Sequence, residues 1–369
     1  MDFQIPVCHM PDFSLPEFQS APCTVFPPAP ADGVAPDNYH ATSVYPEYFH
    51  ISPGNWVLLQ ESRMDCVVRQ EPNGQLSVVE IRRLRAGEPV ACGRRENGED
   101  GILVHTRAFE FPAHAMEKFA FRSHLTRETS FSIDYDELYQ LMHHEKSQGF
   151  IVWVLGPAVV FDRDARSAFV SLIDRGYVHA LLAGNALATH DVEGAIFGTA
   201  LGQEIYSKKT LPLGHYKHID AINQVRAAGS IRKAMENGVV QNGVMHAVIR
   251  NDIPFVLAGS IRDDGPLPEV IGNVYDAQDA MRRLTQKATT VIAMATQLHT
   301  IAVGNMAPSY CVKKGIIRPV YFYSVDMSEF AVSKLADRGS LTARAILTNV
   351  QDFVVTVERG LRDRFSSQE

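Results

Sequence analysis

The chain has 369 residues, a length that favours two domains or one large two-lobed unit. Its 35 Lys+Arg against 42 Asp+Glu give a net charge of −7, so the basic stripe of a typical nucleic-acid binder is not indicated. With 46% hydrophobic and 21% charged residues, the composition is globular and not that of a disordered chain. No apolar run approaches the ~18 residues that a membrane-spanning helix needs.

The sequence carries no sign of secretion or of metal binding. Its first residues lack the basic start and apolar core of a secretory signal. The five cysteines are scattered and form no CxxC pair, which fits reduced thiols in the cytoplasm better than disulfides or a zinc site. We therefore expect a cytoplasmic protein with no membrane partner and no bound metal. Five histidines are candidates for metal ligands but form no HExxH motif or Cys/His cluster: His143, His144, His215, His218 and His299.

The N-terminal part divides into an arm and a small β-rich subdomain. Residues 1–30 contain seven prolines, which predicts an extended arm that wraps over the body or over a neighbouring subunit. Residues 31–146 begin with short alternating runs separated by turn signals such as Pro72-Asn73-Gly74. This pattern is typical of an antiparallel β module, here followed by a helical connector. Five arginines between Arg82 and Arg95 form a basic patch or, more simply, a solvated strand face.

The third part, residues 147–369, alternates strands with helices. The run at 150–160 is continuously apolar, as expected for a strand buried on both faces, and 162–176 carries a helical stripe. Six strands alternating with helices predict an α/β fold with a doubly wound, mostly parallel sheet. The predicted strands are 150–160, 178–183, 253–258, 289–295, 320–325 and 345–348, and the predicted helices are 162–176, 218–237, 274–287, 328–337 and 352–364.

Small residues and asparagines follow four of these strands, and an acid ends a later one. Ligands bind beyond the carboxyl ends of parallel strands, where such residues let backbone N–H groups approach a phosphate or a ring. Each cluster alone would fit an ordinary turn, but together they favour a nucleotide pocket. The sequence has neither GxGxxG nor GxxxxGK[ST], so its phosphate cradle is of another kind. The candidate cofactor-binding residues are Gly156, Pro157, Ala158, Gly184, Asn185, Ala186, Gly259, Ser260, Ile261, Gly304, Asn305, Met306 and Asp326.

Charged side chains beside these clusters are candidates for proton transfer. Asp263 and Asp264 follow the predicted strand 253–258, and His190 and Asp191 follow the predicted strand 178–183. Adjacent carboxylates suit proton transfer or the capture of a cationic amine. The alternative for the two aspartates at 263 and 264 is the capping of a following helix.

Several long motifs, in one order, resemble a known family. They are GNALATHDVEGAIFGTALG (184–202), GHYKHIDAINQVRAAGSI (214–231), VLAGSIRDDGPLPEVI (256–271), LHTIAVGNMAPS (298–309) and VDMSEFAVSKLADRGS (325–340). These segments resemble the archaeal-type ornithine cyclodeaminases, whose module also forms the C-terminal half of the bifunctional arginine dihydrolase/ornithine cyclodeaminases and is known as the LOR/SDH conserved region. The ADGVAP stretch at 31–36 resembles the first subdomain of that module.

The resemblance implies a nicotinamide-binding domain of the deoxyhypusine-synthase type, which lacks GxGxxG, and an NAD-dependent ammonia-lyase. Such an enzyme converts L-ornithine, or a related diamino acid, to L-proline, or a cyclic imino acid, and ammonia, within arginine and ornithine degradation and proline biosynthesis. Hydride passes from the substrate Cα to NAD and returns to the cyclic imine. From their positions beside the cofactor loops, the acid/base candidates are Asp263, Asp264 or Asp191 with His190 as shuttle, and the substrate-binding candidates are Arg262, Lys217 and Asn38.

Two other functions stay open at this point. The same pocket could serve an NAD-dependent amino-acid dehydrogenase or imine reductase with net redox change, or an NAD-binding regulatory protein that catalyses nothing. The Pro-rich arm and the small β module offer extra surface, which predicts a homodimer or homotetramer.

Overall fold

A computed structural model describes residues 3–109, 135–263, 265–328 and 341–365. Residues 3–109, called the N-terminal region below, form a small strand-rich unit, as the sequence predicts. Its elements are α1 (Pro16–Gln19), β1 (Glu47–Ser52), β2 (Asn55–Leu58), β3 (Val67–Gln70), β4 (Leu76–Val79), a 3₁₀ turn (Ile81–Arg83) and β5 (Ile102–Val104). Strands β1, β2 and β5 pair antiparallel in the order β2-β1-β5, and β3 and β4 form a separate hairpin.

The Pro-rich arm packs on the N-terminal region of its own chain. Isolated β-bridges join Val25 to Cys92 and Pro28 to Pro89. The Thr24 hydroxyl donates to the Gly101 carbonyl oxygen at 2.7 Å. Because proline removes backbone donors, the arm is held by such single bridges and not by a regular strand.

The described residues from 135 onward, called the sheet region below, form a seven-stranded parallel sheet with helices on both faces. This confirms the predicted doubly wound α/β fold. Its elements are α2 (Tyr135–Gln148), β6 (Ile151–Leu155), a 3₁₀ turn (Pro157–Val160), α3 (Arg163–Asp174), β7 (Ala180–Gly184), α4 (Asn185–Phe197), β8 (Thr199–Ala200), β9 (Gln203–Glu204), α5 (Gly214–Ala228), α6 (Ile231–Glu236), α7 (Val244–Arg250), β10 (Phe255–Ala258), β11 (Val270–Ile271), α8 (Val274–Thr285), β12 (Thr290–Met294), α9 (Gln297–Met306), β13 (Tyr310–Lys313), β14 (Ile316–Pro319), β15 (Tyr321–Asp326), β16 (Ala343–Leu347) and α10 (Val350–Phe365).

The strand order is β11-β10-β7-β6-β12-β15-β16. The chain therefore builds the sheet outward from β6 in one direction and then outward from β12 in the other. The order reverses between β6 and β12, whose residues pair in parallel from Ile151↔Thr290 to Leu155↔Met294. In open parallel sheets the ligand crevice lies at such a reversal, outside the carboxyl ends of the two strands. That place is called the crevice below.

Alternate residues of the central strands face two separate hydrophobic cores. In β6, Trp153 packs in the core that α3, α4 and α10 cover, and Val152 and Val154 pack in the core that α8 and α9 cover. All five residues of the strand are buried. This two-sided burial explains why the strand reads as an unbroken apolar run.

Two predicted elements differ from the observed ones, and a third falls almost wholly outside the described residues. The strand predicted at 150–160 ends at Leu155, because Pro157 starts a 3₁₀ turn. The helix predicted at 218–237 is two helices, since Gly229 adopts a φ of 92° and Ser230 caps α6 by accepting the Lys233 N–H at 3.0 Å. The helix predicted at 328–337 lies, except for its first residue, outside the described residues.

Helix α2 packs with the sheet region, although the predicted boundary at 146/147 assigned it to the β-rich subdomain. Leu138, Leu141 and Met142 are fully buried in the same core as Trp153. The two regions are joined by hydrogen bonds, including a buried one from the Tyr310 hydroxyl to the Leu59 carbonyl oxygen at 2.5 Å. None of the described helices is long and apolar enough to cross a membrane.

Candidate active site

The loops after β6 and β12 touch in the crevice, and Gly156 makes this possible. Its N–H donates to the Met294 carbonyl oxygen at 2.8 Å. A Cβ at position 156 would lie 1.8 Å from the Ala295 carbonyl oxygen, far inside contact distance. Pro157 and Ala158 follow in the 3₁₀ turn, so all three predicted residues lie at the carboxyl end of β6.

Two helices begin at the same edge of the sheet without a side-chain cap. Strand β7 ends at Gly184 and α4 starts at the next residue, and α9 starts at Gln297, with only two residues between it and the end of β12 at Met294. No side chain of the described residues accepts a hydrogen bond from the first amides of either helix as a cap. Free N–H groups at a helix start, together with the helix dipole, attract phosphate groups. The predicted residues Gly184, Asn185 and Ala186 form this start of α4.

Asn185 and His299 fix the surroundings of the α4 start. The Asn185 side-chain oxygen accepts the Leu267 N–H at 3.1 Å and the Thr189 hydroxyl at 3.2 Å, which ties the loop before β11 to the helix. A Cβ at Gly184 would lie 3.0 Å from Cε1 of His299, in the first turn of α9. Burial lowers the pKa of His299, and the nearby Asp263 carboxylate partly offsets that effect. His299 is therefore a neutral ring at neutral pH beside the α4 start.

The loop after β10 contains several of the predicted site residues, and most of them are exposed. Gly259 donates its N–H to the Ile271 carbonyl oxygen at 2.9 Å, and Ser260, Ile261 and Arg262 are exposed. The Asp263 carboxylate is half-buried and accepts the Ser260 N–H at 2.8 Å, so it braces its own loop. Asp264 lies outside the described residues.

The two remaining groups of predicted cofactor-binding residues lie in different parts of the fold. Asp326 is the last residue of β15, next to β12 in the sheet, and accepts the Ser328 N–H at 2.8 Å. Gly304, Asn305 and Met306, which were expected in a loop, lie instead in the last turn of α9. That turn is about 10–14 Å along the helix from its start at the crevice.

His190 and Glu193, both buried, form a polar cluster with the half-buried His218. Nδ1 of His190 lies 3.1 Å from Oε2 of Glu193, three residues later on the same face of α4. The ring centroids of His190 and His218 are 5.1 Å apart, because α5 packs on α4. His190 also packs edge-on against Phe161, with centroids 5.2 Å apart, just beyond the 3₁₀ turn that follows β6.

Four donors hold the Glu193 carboxylate. Oε1 accepts the Thr199 hydroxyl at 2.8 Å and the Gly202 N–H at 3.0 Å, and Oε2 accepts the Leu201 N–H at 3.1 Å besides the His190 contact. Burial alone would raise the pKa of Glu193, but the hydrogen bonds from His190, Gly202 and Thr199 outweigh it and hold the pKa below its ordinary value. Glu193 is thus a carboxylate that fixes one proton on Nδ1 of His190 and leaves Nε2 as the basic nitrogen.

The same three side chains could be considered as metal ligands, since their nearest ligand atoms lie within 4.8 Å of one another. However, a carboxylate has about four lone-pair sites, and those of Glu193 are already used by protein donors. Burial, with His190 next in weight, lowers the pKa of His218, so its ring is neutral at neutral pH. The arrangement favours a hydrogen-bonded acid/base pair over a metal centre.

Asp191 faces away from this cluster. Its Oδ1 accepts hydrogen bonds from Nε of Arg166 at 2.6 Å and from the Val244 N–H at 2.9 Å. Its Oδ2 accepts one from the Met245 N–H at 2.7 Å. The carboxylate is fully buried and holds the start of α7 to α4 and α3. These contacts describe a brace, so they do not favour the acid/base role predicted for Asp191.

The predicted substrate-binding residues lie in different places. Lys217 is half-buried on α5, one residue before His218, with Nζ 4.5 Å from the centre of the Phe197 ring. Asn38 lies in the N-terminal region, where its carbonyl oxygen accepts the Gly93 N–H at 2.9 Å. The fold thus places Lys217 on the helix that carries His218 and leaves Asn38 with the β strands.

Sequence reasoning missed Glu193 altogether and considered His218 and His299 only as metal ligands. The i, i+3 spacing of His190 and Glu193 was the one local signal that they share a helix face. The approach of His218 and His299 depends on how α5 and α9 pack, which no local pattern shows.

Comparison with known proteins identifies the family. Residues 137–357 match the family model of the C-terminal, Rossmann-fold part of ArgZ-like arginine dihydrolases. Over 337 residues, which are 91% of this chain and 77% of the relative, the chain is 38% identical to an ornithine cyclodeaminase of Methanopyrus kandleri. The chain belongs to the ornithine cyclodeaminase family. This confirms the resemblance seen in the sequence.

Solved structures similar to this ornithine cyclodeaminase family member support the same conclusion. A LOR/SDH protein of Methanococcus maripaludis superimposes with a TM-score of 0.82 at 34% identity, covering 93% of this chain and 99% of that one. The ternary complex of AgrE with ornithine and NAD⁺ matches with a TM-score of 0.59 at 31% identity, covering 96% of this chain and 48% of that one. AgrE of Nostoc sp. is a bifunctional arginine dihydrolase/ornithine cyclodeaminase, of which this chain spans about half.

Proposed function

We propose that this protein is an NAD-dependent ornithine cyclodeaminase, which converts L-ornithine to L-proline and ammonia. The observation that carries the proposal is the match to an ornithine cyclodeaminase over 91% of the chain, which includes both the N-terminal and the sheet region. The crevice and the buried His190–Glu193 pair supply what such chemistry needs, a nucleotide site and a base next to it.

The residues of the crevice fit NAD. The uncapped starts of α4 and α9 offer backbone N–H groups to a pyrophosphate, and Gly184 has no side chain between them. Asp326, at the carboxyl end of β15, is a carboxylate of the kind that binds ribose hydroxyls. When bound, NAD supplies a hydride acceptor that can later return the hydride. The protein's own contribution is to bind, orient and move protons.

His190 is our candidate for the base. Loss of hydride from an amino-acid Cα requires that its amine be neutral, so a group must accept a proton from the ammonium. Nε2 of His190 can take that proton, because Glu193 fixes the other nitrogen and stabilises the imidazolium that results. His218, kept neutral by burial, adds no competing positive charge next to it.

Charged groups around the crevice suit a diamino acid. Asp263 offers a half-buried carboxylate for the second ammonium group of ornithine, beside the start of α4. Lys217, next to His218, and Arg262, on the exposed loop after β10, are the candidates for the α-carboxylate. In this assignment the groups that bind the charges of the substrate surround the crevice, and Asp191 has a structural role.

Turnover with a small amount of NAD tests the function. Ornithine supplied in large excess over NAD should give proline and ammonia in equal amounts, with no net accumulation of NADH. NADH formed in step with product would indicate a net dehydrogenase instead. NAD binding without conversion of ornithine or related diamino acids would indicate a regulatory protein.

Replacement of His190 tests the assignment of the base. His190→Gln should lower kcat by roughly 10²–10⁴, the usual contribution of a general base, with NAD affinity retained. His215→Gln is the matched control, because His215 is an exposed histidine on the neighbouring helix α5. Equal losses in both variants, or normal turnover in His190→Gln, would contradict the assignment.

A further inference from the structure

A second cleft, of about 780 Å³, lies between the N-terminal region and the end of α8. Helix α8 starts after the carboxyl end of β11 and ends at Thr285, five residues before β12 begins at Thr290. Its last turn therefore lies near the amino edge of the sheet, opposite the crevice. Strand β4 and the 3₁₀ turn Ile81–Arg83 form the other wall.

Arginines dominate the lining of this cleft. Six guanidinium groups line it, against only two carboxylates, among the described residues. The excess stands out in a chain whose net charge is −7. The arginines are Arg63, Arg69, Arg82, Arg83, Arg85 and Arg282, and the acids are Glu61 and Glu80.

At the inner end, four of these arginines share Glu80. Its oxygens accept from Arg63 at 2.6 Å, from Arg82 at 2.7 Å and from Arg83 at 3.3 Å, and they also contact Arg282. One further carboxylate, Asp279, contacts Arg83 and Arg282. Four guanidinium groups thus share two carboxylates, whereas Arg69 and Arg85 at the outer end have their own acidic partners.

Arg282 shows that the inner cluster lacks negative charge. Its side chain is only 12% exposed, and its Nε is buried without a hydrogen-bond partner in the described structure. Burial, followed by the neighbouring Arg63, lowers the pKa of Arg282, although Glu80 and Asp279 act in the opposite sense. An anion in the cleft would relieve both the repulsion and the unsatisfied donor.

We propose that this cleft binds a small polyanion that carries two or more phosphate or carboxylate groups. Guanidinium groups bind both kinds of oxyanion through paired N–H donors, and the volume lies within the range of small-molecule sites. Such a ligand would contact the 3₁₀ turn on one wall and Arg282 on the other, so it would bridge the two regions. The site is separate from the NAD crevice, and the proposal does not depend on the enzymatic activity.

Calorimetric titration with inorganic pyrophosphate and with citrate, at low ionic strength, tests this site. With NAD present in saturating amount to fill the crevice, we expect saturable binding of one ion per chain, weakened about tenfold or more in Arg82→Gln and in Arg282→Gln. Arg82 is 39% exposed, so its variant remains informative if Arg282→Gln does not fold. The matched control is Arg95→Gln, since Arg95 is a paired, 64% exposed arginine of the same region that does not line the cleft.

The results either identify the class of ligand or contradict the proposal. Binding of pyrophosphate alone indicates a phosphorylated ligand, binding of citrate alone a polycarboxylate, and either result supports the site. The proposal is overturned if neither ion saturates, if Arg95→Gln loses as much affinity as Arg82→Gln, or if the ion binds only when NAD is absent. In the first case, the arginine cluster serves only to join the two regions by ion pairs.

Discussion

At the scale of single residues, two neighbours in sequence have different tasks. His190 and Asp191 both follow β7 and looked equally suited to proton transfer in the sequence. Successive residues of a helix point about 100° apart, so His190 faces α5 while Asp191 faces α3 and α7. The sequence indicates both residues as candidates, but it does not show which way their side chains point. Those directions depend on the start of α4 at Asn185, where the sequence predicts a loop.

Asp191→Asn should destabilise the fold. The change leaves the buried Arg166 without its charge partner and turns an amide N–H₂ toward the donors of α7. Loss of one partner of a buried ion pair costs about 3–5 kcal/mol, which urea unfolding would measure. Asp263→Asn is the matched control: it should change unfolding by less than about 0.5 kcal/mol, yet lower kcat/KM for ornithine about tenfold or more. Equal unfolding of Asp191→Asn and wild type would show that the brace is unimportant.

At the scale of elements, strands and helices were predictable where one pattern dominated. The buried strands β7, β12 and β15 and the amphipathic α3, α8 and α10 lie within a few residues of their predicted bounds. The errors have physical causes. A proline begins a 3₁₀ turn after β6, Gly229 divides α5 from α6, and α9 continues through Gly304 because its buried face outweighs the helix-breaking tendency of a single glycine.

Gly156→Ala should disrupt the junction of β6 and β12. The new methyl group would overlap the Ala295 carbonyl oxygen, a backbone atom that cannot rotate away. We expect loss of NAD binding and a clear loss of stability, measured by calorimetry and thermal unfolding. Gly272→Ala is the control, since no heavy atom lies within 4 Å of a Cβ placed there after the edge strand β11. Normal NAD binding by Gly156→Ala would mean that the crevice is not where the cofactor lies.

At the scale of the whole molecule, the doubly wound sheet followed from the alternation of strands and helices, whereas its contacts with the N-terminal region did not. The bond from Tyr310 to Leu59 joins residues 251 positions apart, and the Glu80 cluster joins residues 202 positions apart. No periodic pattern in the sequence indicates pairs of residues so far apart. The arginines between Arg82 and Arg95 were visible in the sequence, but only the fold separates those that line the cleft from those that face solvent.

The predicted homodimer or homotetramer gains a candidate contact surface. Several large apolar side chains are more than half exposed in residues 201–219, beside the His190 cluster: Leu201, Tyr206, Leu213, Tyr216 and Ile219. Exposed apolar groups clustered in this way mark interaction surfaces. Light scattering should therefore give a mass of two or four chains, and Leu213→Glu should shift the mass toward that of one chain. A single-chain mass for the wild type at working concentration would contradict the prediction.

The stability of the whole molecule should fall in weak acid. Burial lowers the pKa values of His179, His218, His246 and His299 from their ordinary value of 6.5. The unfolded chain then binds more protons than the folded one below that value, so stability is complete above about pH 6.5 and is lost as the pH falls through the lower, folded pKa values. His179 shows the cost directly, because its Nδ1 accepts the Ile151 N–H at 2.9 Å and protonation would remove that acceptor.

Thermal unfolding between about pH 7.5 and about pH 5.5 measures this dependence. We expect the Tm to fall with pH in the wild type and to fall less in His179→Asn, whose side-chain oxygen can still accept the Ile151 N–H but cannot take up a proton in this range. His215→Asn, at an exposed position, should follow the wild type. A Tm that stays constant or rises toward acid would show that the buried histidines are protonated in the folded state. That result would also remove the reason for a neutral His218 beside His190.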